Sequence, residues 1–130
     1  MKKPESHRLE RVNSLLREEI TRLLAEELRA TGAPLFTVTR VSTSPDLSVA
    51  DVFVLPDDPA VAPGKAMNAV KRVLPRIERA IRPRISFHRM PRLRARVDEG
   101  ARYQQHMEEL IDQIRRDERP GSSAPRSESP

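Results

Sequence analysis

The sequence predicts an α+β domain in which helices cover one face of a three-stranded sheet. Two observations indicate it: apolar residues recur with a helical period in three segments, and they alternate or form β-branched runs in three others. Their order along the chain is helix, strand, strand, helical region, strand, helix. The 31 Leu, Ile, Val and Phe residues among 130 suffice for one modest core, so we expect a single domain over residues 1–117.

The first three elements follow from apolar spacing and turn chemistry. An apolar stripe along residues 9–28 predicts a helix that ends before Gly32. Residues 35–42 and 49–55 are rich in β-branched and aromatic side chains and predict two strands. Between them, Ser44-Pro45-Asp46-Leu47-Ser48 is typical of a turn, so the two strands should form an antiparallel hairpin.

The second half of the chain predicts a helical region, a third strand and a last helix. Residues 65–82 have a helical period with Pro75 inside it, so we expect a kinked central helix pair, with either a kink or a division into two short helices at Pro75. Residues 85–97 alternate between apolar and basic positions and predict a strand, which a helical crossover would make parallel to the second strand. An apolar stripe after Asp98 predicts a C-terminal helix, and the Pro- and Ser-rich residues 118–130 predict a disordered tail.

The basic residues are concentrated between Lys71 and Arg96. This stretch holds ten basic residues and one acid, a net charge of +9, whereas the whole chain carries +5 and the remainder therefore −4. On the helical part the basic residues lie opposite the apolar stripe, and on the strand they take alternate positions. Because arginine presents a planar donor fork that matches phosphate, we predict a polyanion-binding face. The candidate RNA-binding residues are Lys71, Arg72, Arg76, Arg79, Arg82, Arg84, Arg89, Arg92, Arg94 and Arg96, with Lys3, Arg8 and Arg11 as a second, weaker set.

Several other functions lack the residues that they need. The absence of cysteine excludes disulfides and thiolate metal sites, the four glycines form no phosphate-binding loop, and the three histidines have no metal-ligand spacing. We find no catalytic constellation and expect no enzyme, metal or cofactor. No apolar stretch could span a membrane and the first residues do not resemble a secretory signal, so we expect a cytoplasmic monomer without a membrane partner or small-molecule substrate. We also expect all three Phe residues in the core, which argues against base stacking on an aromatic platform.

The element order is that of a type II KH-like domain, and three stretches resemble the ribosome-binding factor A family. They are RVNSLLREEITRLLAEEL (residues 11–28), VTRVSTSPDLSVADVFV (residues 38–54) and MPRLRARVDEG (residues 90–100). The most specific of these is the Ser-Pro-Asp-Leu-Ser turn followed by a strand. The family's Ala-x-Gly kink aligns with Val70-Lys71-Arg72 and is therefore absent here, which makes Pro75 the candidate replacement.

The resemblance implies an assembly factor that binds the immature small (30S) ribosomal subunit and its 16S rRNA. It further implies a role in late maturation and processing of 16S rRNA, including cold adaptation, and no catalysis. The charge pattern by itself indicates only nucleic-acid binding, so a general basic nucleic-acid-binding domain without a ribosomal role remains an alternative. A membrane-surface protein would need exposed large apolar residues opposite its basic face, and a small enzyme would need paired titratable groups.

Overall fold

The computed structural model describes residues 4–86 and 89–118, with side chains from His7 onward. Lys3, Phe87, His88 and the predicted disordered tail from residue 119 lie outside this part of the chain. The α+β class is confirmed, and the described residues fall into two units, one up to Asp98 and one from Glu99. The elements are α1 (Pro4–Thr31), β1 (Phe36–Thr43), β2 (Val49–Pro56), α2 (Pro63–Ile81), a short 3-10 helix (Arg82–Arg84), β3 (Arg92–Val97) and α3 (Glu99–Glu118).

The sheet has the order β1-β2-β3, with β2 in the centre. β1 pairs with β2 antiparallel and β3 pairs with β2 parallel, as the sequence predicts. A β-bulge between Val38 and Arg40 shifts the register of β1, so that Arg40 lies opposite Phe53. The bulge thereby determines which side chain of β1 lies beside the centre of the sheet.

The turn between β1 and β2 is held by Asp46. Its carboxylate accepts hydrogen bonds from the hydroxyls of Ser44 and Ser48, at 2.8 and 2.7 Å, and from the backbone N–H of Ser48 at 3.1 Å. These bonds stabilise the charged form and lower the pKa of Asp46 to about 2. Leu47 has a φ of 60° and its side chain is buried, so the turn also anchors itself in the core.

The core lies between the sheet and helices α1 and α2, which contact β1, β3 and each other. Each fully buried Leu or Ile contributes roughly 1.5–3 kcal/mol relative to an exposed one. The helices bury their apolar stripes against the inward face of the sheet. The buried helical residues are Val12, Leu16, Ile20, Leu24 and Leu28 of α1, with Met67, Val70, Val73, Leu74, Ile77 and Ile81 of α2.

Helix α1 ends at Gly32 for a conformational reason. Gly32 has a φ of 73°, a left-handed conformation that costs glycine little. The N–H of Gly32 donates to the carbonyl of Arg29 and the N–H of Ala33 donates to the carbonyl of Leu28, both at 3.2 Å. This Schellman pattern satisfies the last carbonyls and directs the chain into β1.

Two predicted elements differ from the structure. The alternative of two short helices is wrong, because α2 is one helix from Pro63 to Ile81 that includes Pro75, while a kink at Pro75 stays a prediction. Its apolar stripe is buried on both sides of Pro75, and tertiary packing of that kind outweighs the local cost of proline. The predicted third strand is too long: β3 begins at Arg92, directly after Pro91, whose ring nitrogen cannot donate to a ladder. Ile85 is apolar because it packs partly against the core, not because it belongs to the strand.

Candidate nucleic-acid interface

A groove lies between α2 and the edge strand β3. Helix α2 lines it with Lys71, Leu74, Pro75 and Glu78, and β3 lines it with residues 92–96. The Glu78 carboxylate accepts the backbone N–H of Leu93 at 2.9 Å, which satisfies a donor that the edge strand would otherwise expose. The groove therefore has Lys71 on its helical wall, three arginines on its strand wall and one acid that already accepts a backbone N–H.

The cations face outward because of the periods of their two elements. In α2 the apolar stripe is buried, so Lys71, Arg72 and Arg79 are exposed on the opposite side. In β3 Leu93 points to the core, so the alternate residues Arg92, Arg94 and Arg96 are exposed on the sheet face away from α1 and α2. Helix and strand thus bring cations to the same edge of the unit from two sides.

Pro75 adds a backbone feature to the helical wall of this groove. Since proline has no N–H, the carbonyl of Lys71 cannot receive the usual helical hydrogen bond from residue 75. Both residues line the groove, and Pro75 is exposed. An acceptor oxygen on this wall complements the donors of the neighbouring basic side chains.

Ion pairs separate the predicted RNA-binding residues into two classes. Arg76 pairs with Glu27 of α1 at 2.7 Å, Arg84 with Glu19 of α1 at 3.6 Å, and Arg82 with Glu78 at 3.7 Å. Among the predicted RNA-binding residues of α2 and β3, four form no ion pair within residues 4–86 and 89–118: Lys71, Arg72, Arg79 and Arg92. On these two elements, these four exposed cations are available to phosphate without breaking an ion pair.

Asp51 on the central strand orients two arginines of β3. Arg94 donates to both of its carboxylate oxygens, from Nε at 2.7 Å and from a terminal nitrogen at 3.3 Å, and the Nε of Arg96 lies 3.4 Å from Oδ1. The hydrogen bond from Arg94 lowers the pKa of Asp51, and the same contact raises the pKa of Arg94. Both guanidinium groups remain at least half exposed, so Asp51 fixes their direction without covering them.

The remaining candidates do not join this groove. Arg76 and Arg84 reach towards α1, and Arg8 and Arg11 are exposed on α1, where Arg11 lines a separate depression. Arg89 is exposed, and its charge contributes to the lowered pKa of Asp46. Lys3 lies outside the described residues. A role in RNA binding stays a prediction for every residue of the set.

Sequence reasoning missed Arg40 and misplaced Phe53. Phe36 is buried as expected, but Phe53 is only half-buried, and it lies on the sheet face away from α1 and α2. The guanidinium carbon of Arg40 stands 3.7 Å from the centroid of its ring, a cation–π contact. The alternation of β2 contained the signal, since Phe53 has the same parity as Asp51 and not that of the buried Val52.

The described part of the chain has neither a helix that could span a membrane nor a group of side chains that could hold a metal ion. None of its helices is long and apolar enough to cross a membrane. Among the same residues, no three His, Asp or Glu side chains are placed to hold a metal ion.

Comparison with known proteins gives a consistent set of similarities. The family model for ribosome-binding factor A matches residues 8–111. Ribosome-binding factor A of Thermomicrobium roseum is 32% identical over 127 residues, which are 95% of this chain and 98% of that protein. The protein of the same name from Ureaplasma urealyticum is 32% identical over 111 residues, 85% of this chain and 95% of that one. The crystal structure of ribosome-binding factor A from Thermus thermophilus has a TM-score of 0.50 at 32% identity, covering 65% of this chain and 94% of that chain.

Proposed function

Because the chain belongs to the ribosome-binding factor A family, we propose that it binds the immature small (30S) ribosomal subunit through its 16S rRNA. The proposal includes a role in late maturation and processing of that rRNA, also at low temperature. It assigns binding without catalysis, by a monomer in the cytoplasm. The observation that carries it is the groove between α2 and β3, which presents cations from both walls.

The unpaired cations supply the attraction to RNA. Lys71, Arg72, Arg79 and Arg92 are exposed and form no ion pair within the described chain. Each phosphate that such a residue neutralises releases counterions, which is the main source of affinity for nucleic acid. The arginines held by Asp51 add forks of fixed direction, which favour RNA with a defined shape over any polyanion.

The test is sedimentation of purified small subunits with the protein over a range of salt concentrations. We expect binding to weaken steeply with salt, and the triple variant Arg72→Ala, Arg79→Ala, Arg92→Ala to flatten the slope by roughly 0.7–0.9 for each phosphate that is no longer neutralised. The matched control removes three arginines from α1 outside the groove, Arg17→Ala, Arg22→Ala and Arg29→Ala. It loses the same charge and should bind almost as the parent does.

The alternative is a general nucleic-acid-binding domain without a ribosomal role. The same basic groove would serve it, so the groove alone does not separate the two. A competition experiment separates the two functions. Under the proposal, duplex DNA at equal phosphate concentration should not displace the protein from small subunits. Full displacement by duplex DNA, or equal losses in the two triple variants, would contradict the proposal.

A further inference from the structure

A second surface lies on the sheet face away from α1 and α2. Phe53 stands at its centre, with Arg40 of β1 on one side and Arg96 of β3 on the other, because these three residues are paired across the sheet. The next pairs towards the start of β2 add Asp51 beside Arg94 and Val49 beside Arg92. Arg40 and Phe53 were not part of the charge pattern from which the polyanion-binding face was predicted, whereas Arg96 was, and Arg96 also lines the groove.

The central contact is a guanidinium stacked on an aromatic ring. Arg40 lies 3.7 Å above the Phe53 centroid, and its side chain is 59% exposed. Its Nε is 3.8 Å from Asp98, whose carboxylate also accepts the hydroxyl of Thr39 at 2.6 Å. Since one face of the guanidinium is on the ring and its edge is near a carboxylate, its other planar face is available to a ligand.

The surroundings determine which ligand fits. Four arginines, Arg40, Arg92, Arg94 and Arg96, accompany the two acids Asp51 and Asp98, so the face keeps a positive charge. Asp51 directs Arg94 and Arg96 with bonds of 2.7 and 3.4 Å and leaves each at least half exposed. A flat π surface flanked by oriented guanidinium forks matches a nucleotide, whose base stacks on the plane while its phosphate meets the forks.

We propose that the Arg40–Phe53–Arg96 row binds an unpaired base of single-stranded RNA, as a second contact whose centre, Arg40 and Phe53, lies outside the groove between α2 and β3, while Arg96 borders both. This inference rests on the proposed function only in that the partner is RNA. A duplex has no free base face to offer, so the site selects single-stranded segments. Arginine planes stack on any base, so little sequence preference is expected.

The experiment compares two fluorescent RNA oligomers of about eight nucleotides, one with bases and one fully abasic, so that charge and length are equal. The parent protein should bind the base-containing oligomer more tightly, by roughly 5- to 100-fold if one base stacks. Phe53→Leu keeps an apolar side chain on the sheet, and Arg40→Lys keeps the charge without the plane. Each variant should lose most of that preference while its affinity for the abasic oligomer changes less than about twofold.

The matched control is Arg29→Lys on α1, which makes the same substitution at an exposed arginine outside both the sheet and the groove and should keep the full preference. Thermal melts verify that Phe53→Leu is folded. Arg40→Lys tests the same stacking contact at a mostly exposed side chain, where a substitution affects folding least. Equal binding of the two oligomers by the parent overturns the proposal. So does an unchanged preference in Arg40→Lys, or displacement of RNA by polyglutamate as effectively as by unlabelled oligomer.

Small-subunit sedimentation of the same variants keeps this inference separate from the proposed function. If Arg40→Lys sediments with subunits as the parent does and shows no altered base preference, the second contact fails and the proposed function stands. If the triple variant Arg72→Ala, Arg79→Ala, Arg92→Ala binds subunits normally but Arg40→Lys loses base preference, the role assigned to the unpaired cations fails and the sheet site stands.

Discussion

The groove between α2 and β3 is lined by Lys71 of the helix and by Arg92, Arg94 and Arg96 of the strand, and the cations of the two elements are held in different ways. Lys71, Arg72 and Arg79 on the helix form no ion pair within the described chain, whereas Arg94 and Arg96 on the strand share Asp51. An unpaired cation on a long side chain can follow a phosphate, but a paired guanidinium presents donors in a fixed direction. We infer that the helix contributes attraction and the strand contributes orientation.

This difference shows that the number of basic residues on a surface does not reveal which of them are unpaired and available to a ligand. Arg76 lies on α2 between Arg72 and Arg79, and by helical position alone it belongs with them. It instead donates to Glu27 of α1 at 2.7 Å, across a sequence separation of 49 residues. Tertiary packing determines whether a surface cation has an ion-pair partner. It therefore determines which arginines are unpaired and available to a ligand.

The largest effect should come from reversing two unpaired charges on the helix. Arg72→Glu with Arg79→Glu should abolish sedimentation with small subunits, because two attractive contacts become repulsive ones at the phosphate backbone. The domain should stay folded, since both side chains are exposed and point away from the buried stripe of α2. Circular dichroism melts provide the folding control.

Arg76→Gln tests whether paired and unpaired arginines of α2 differ in their contribution to subunit binding. It removes one charge from the same helix face but from a residue that is already paired with Glu27. We expect subunit affinity to change less than about threefold. A loss as large as that of Arg72→Gln would mean that pairing does not matter and that α2 acts only through its total charge.

The fold was largely predictable from the sequence because periodicity reports burial directly. The stripe of α1, the hairpin and the parallel third strand all followed from apolar spacing and the Ser44–Ser48 turn. The errors concern prolines. At Pro75 a local rule allowed a division into two helices, and packing keeps α2 as one helix. Before Pro91, apolar residues of a connecting segment have the same alternation as β3 and were assigned to it.

The candidate site was predictable as a region but not as a set of contacts. The concentration of arginine identified the segment, and alternation identified which residues of β3 face outward. The contact between Arg40 and Phe53 depends on a bulge that advances β1 by one residue, a feature that no local pattern encodes. The role of Asp51 likewise depends on the register between β2 and β3, since it pairs with Arg94 in the parallel ladder.

A further prediction concerns Pro75, which lines the groove between the two sets of cations. Pro75→Ala restores the N–H that the carbonyl of Lys71 lacks, and removing proline from a helix interior gains up to about 3 kcal/mol. We expect higher stability in urea denaturation. If the α2 cations act as free charges, subunit binding should change little. A clear loss of affinity in this stabilised variant would show that their exact placement matters, as it does for β3.

The next prediction concerns a variant that lacks the carboxylate of Asp51, which pairs with Arg94 and Arg96 of β3. Asp51→Asn should raise affinity for the abasic oligomer a few-fold, because the face loses one negative charge. It should lower the preference for the base-containing oligomer, because Arg94 and Arg96 lose their fixed direction. The two oligomers are measured side by side. An unchanged preference would show that orientation by Asp51 contributes nothing to base binding. The arginines of β3 would then act as free charges, like the cations of α2.

The smallest effect should appear in the stability of Asp51→Asn and its dependence on pH. The pKa of Asp51 in the folded protein is lowered below its ordinary value of 3.8, chiefly by the hydrogen bond from Arg94. A lowered pKa means that the contribution to stability is fully present above the unfolded value and is lost as pH falls through the folded one. Since the arginines are exposed, that contribution should stay below about 1 kcal/mol. The free energies of unfolding of parent and variant should therefore differ slightly at pH 7 and converge below pH 3.8. A difference that persists undiminished in acid would mean that Asp51 stabilises the sheet through packing rather than through its charge, and the orientation of the β3 arginines would then need another cause.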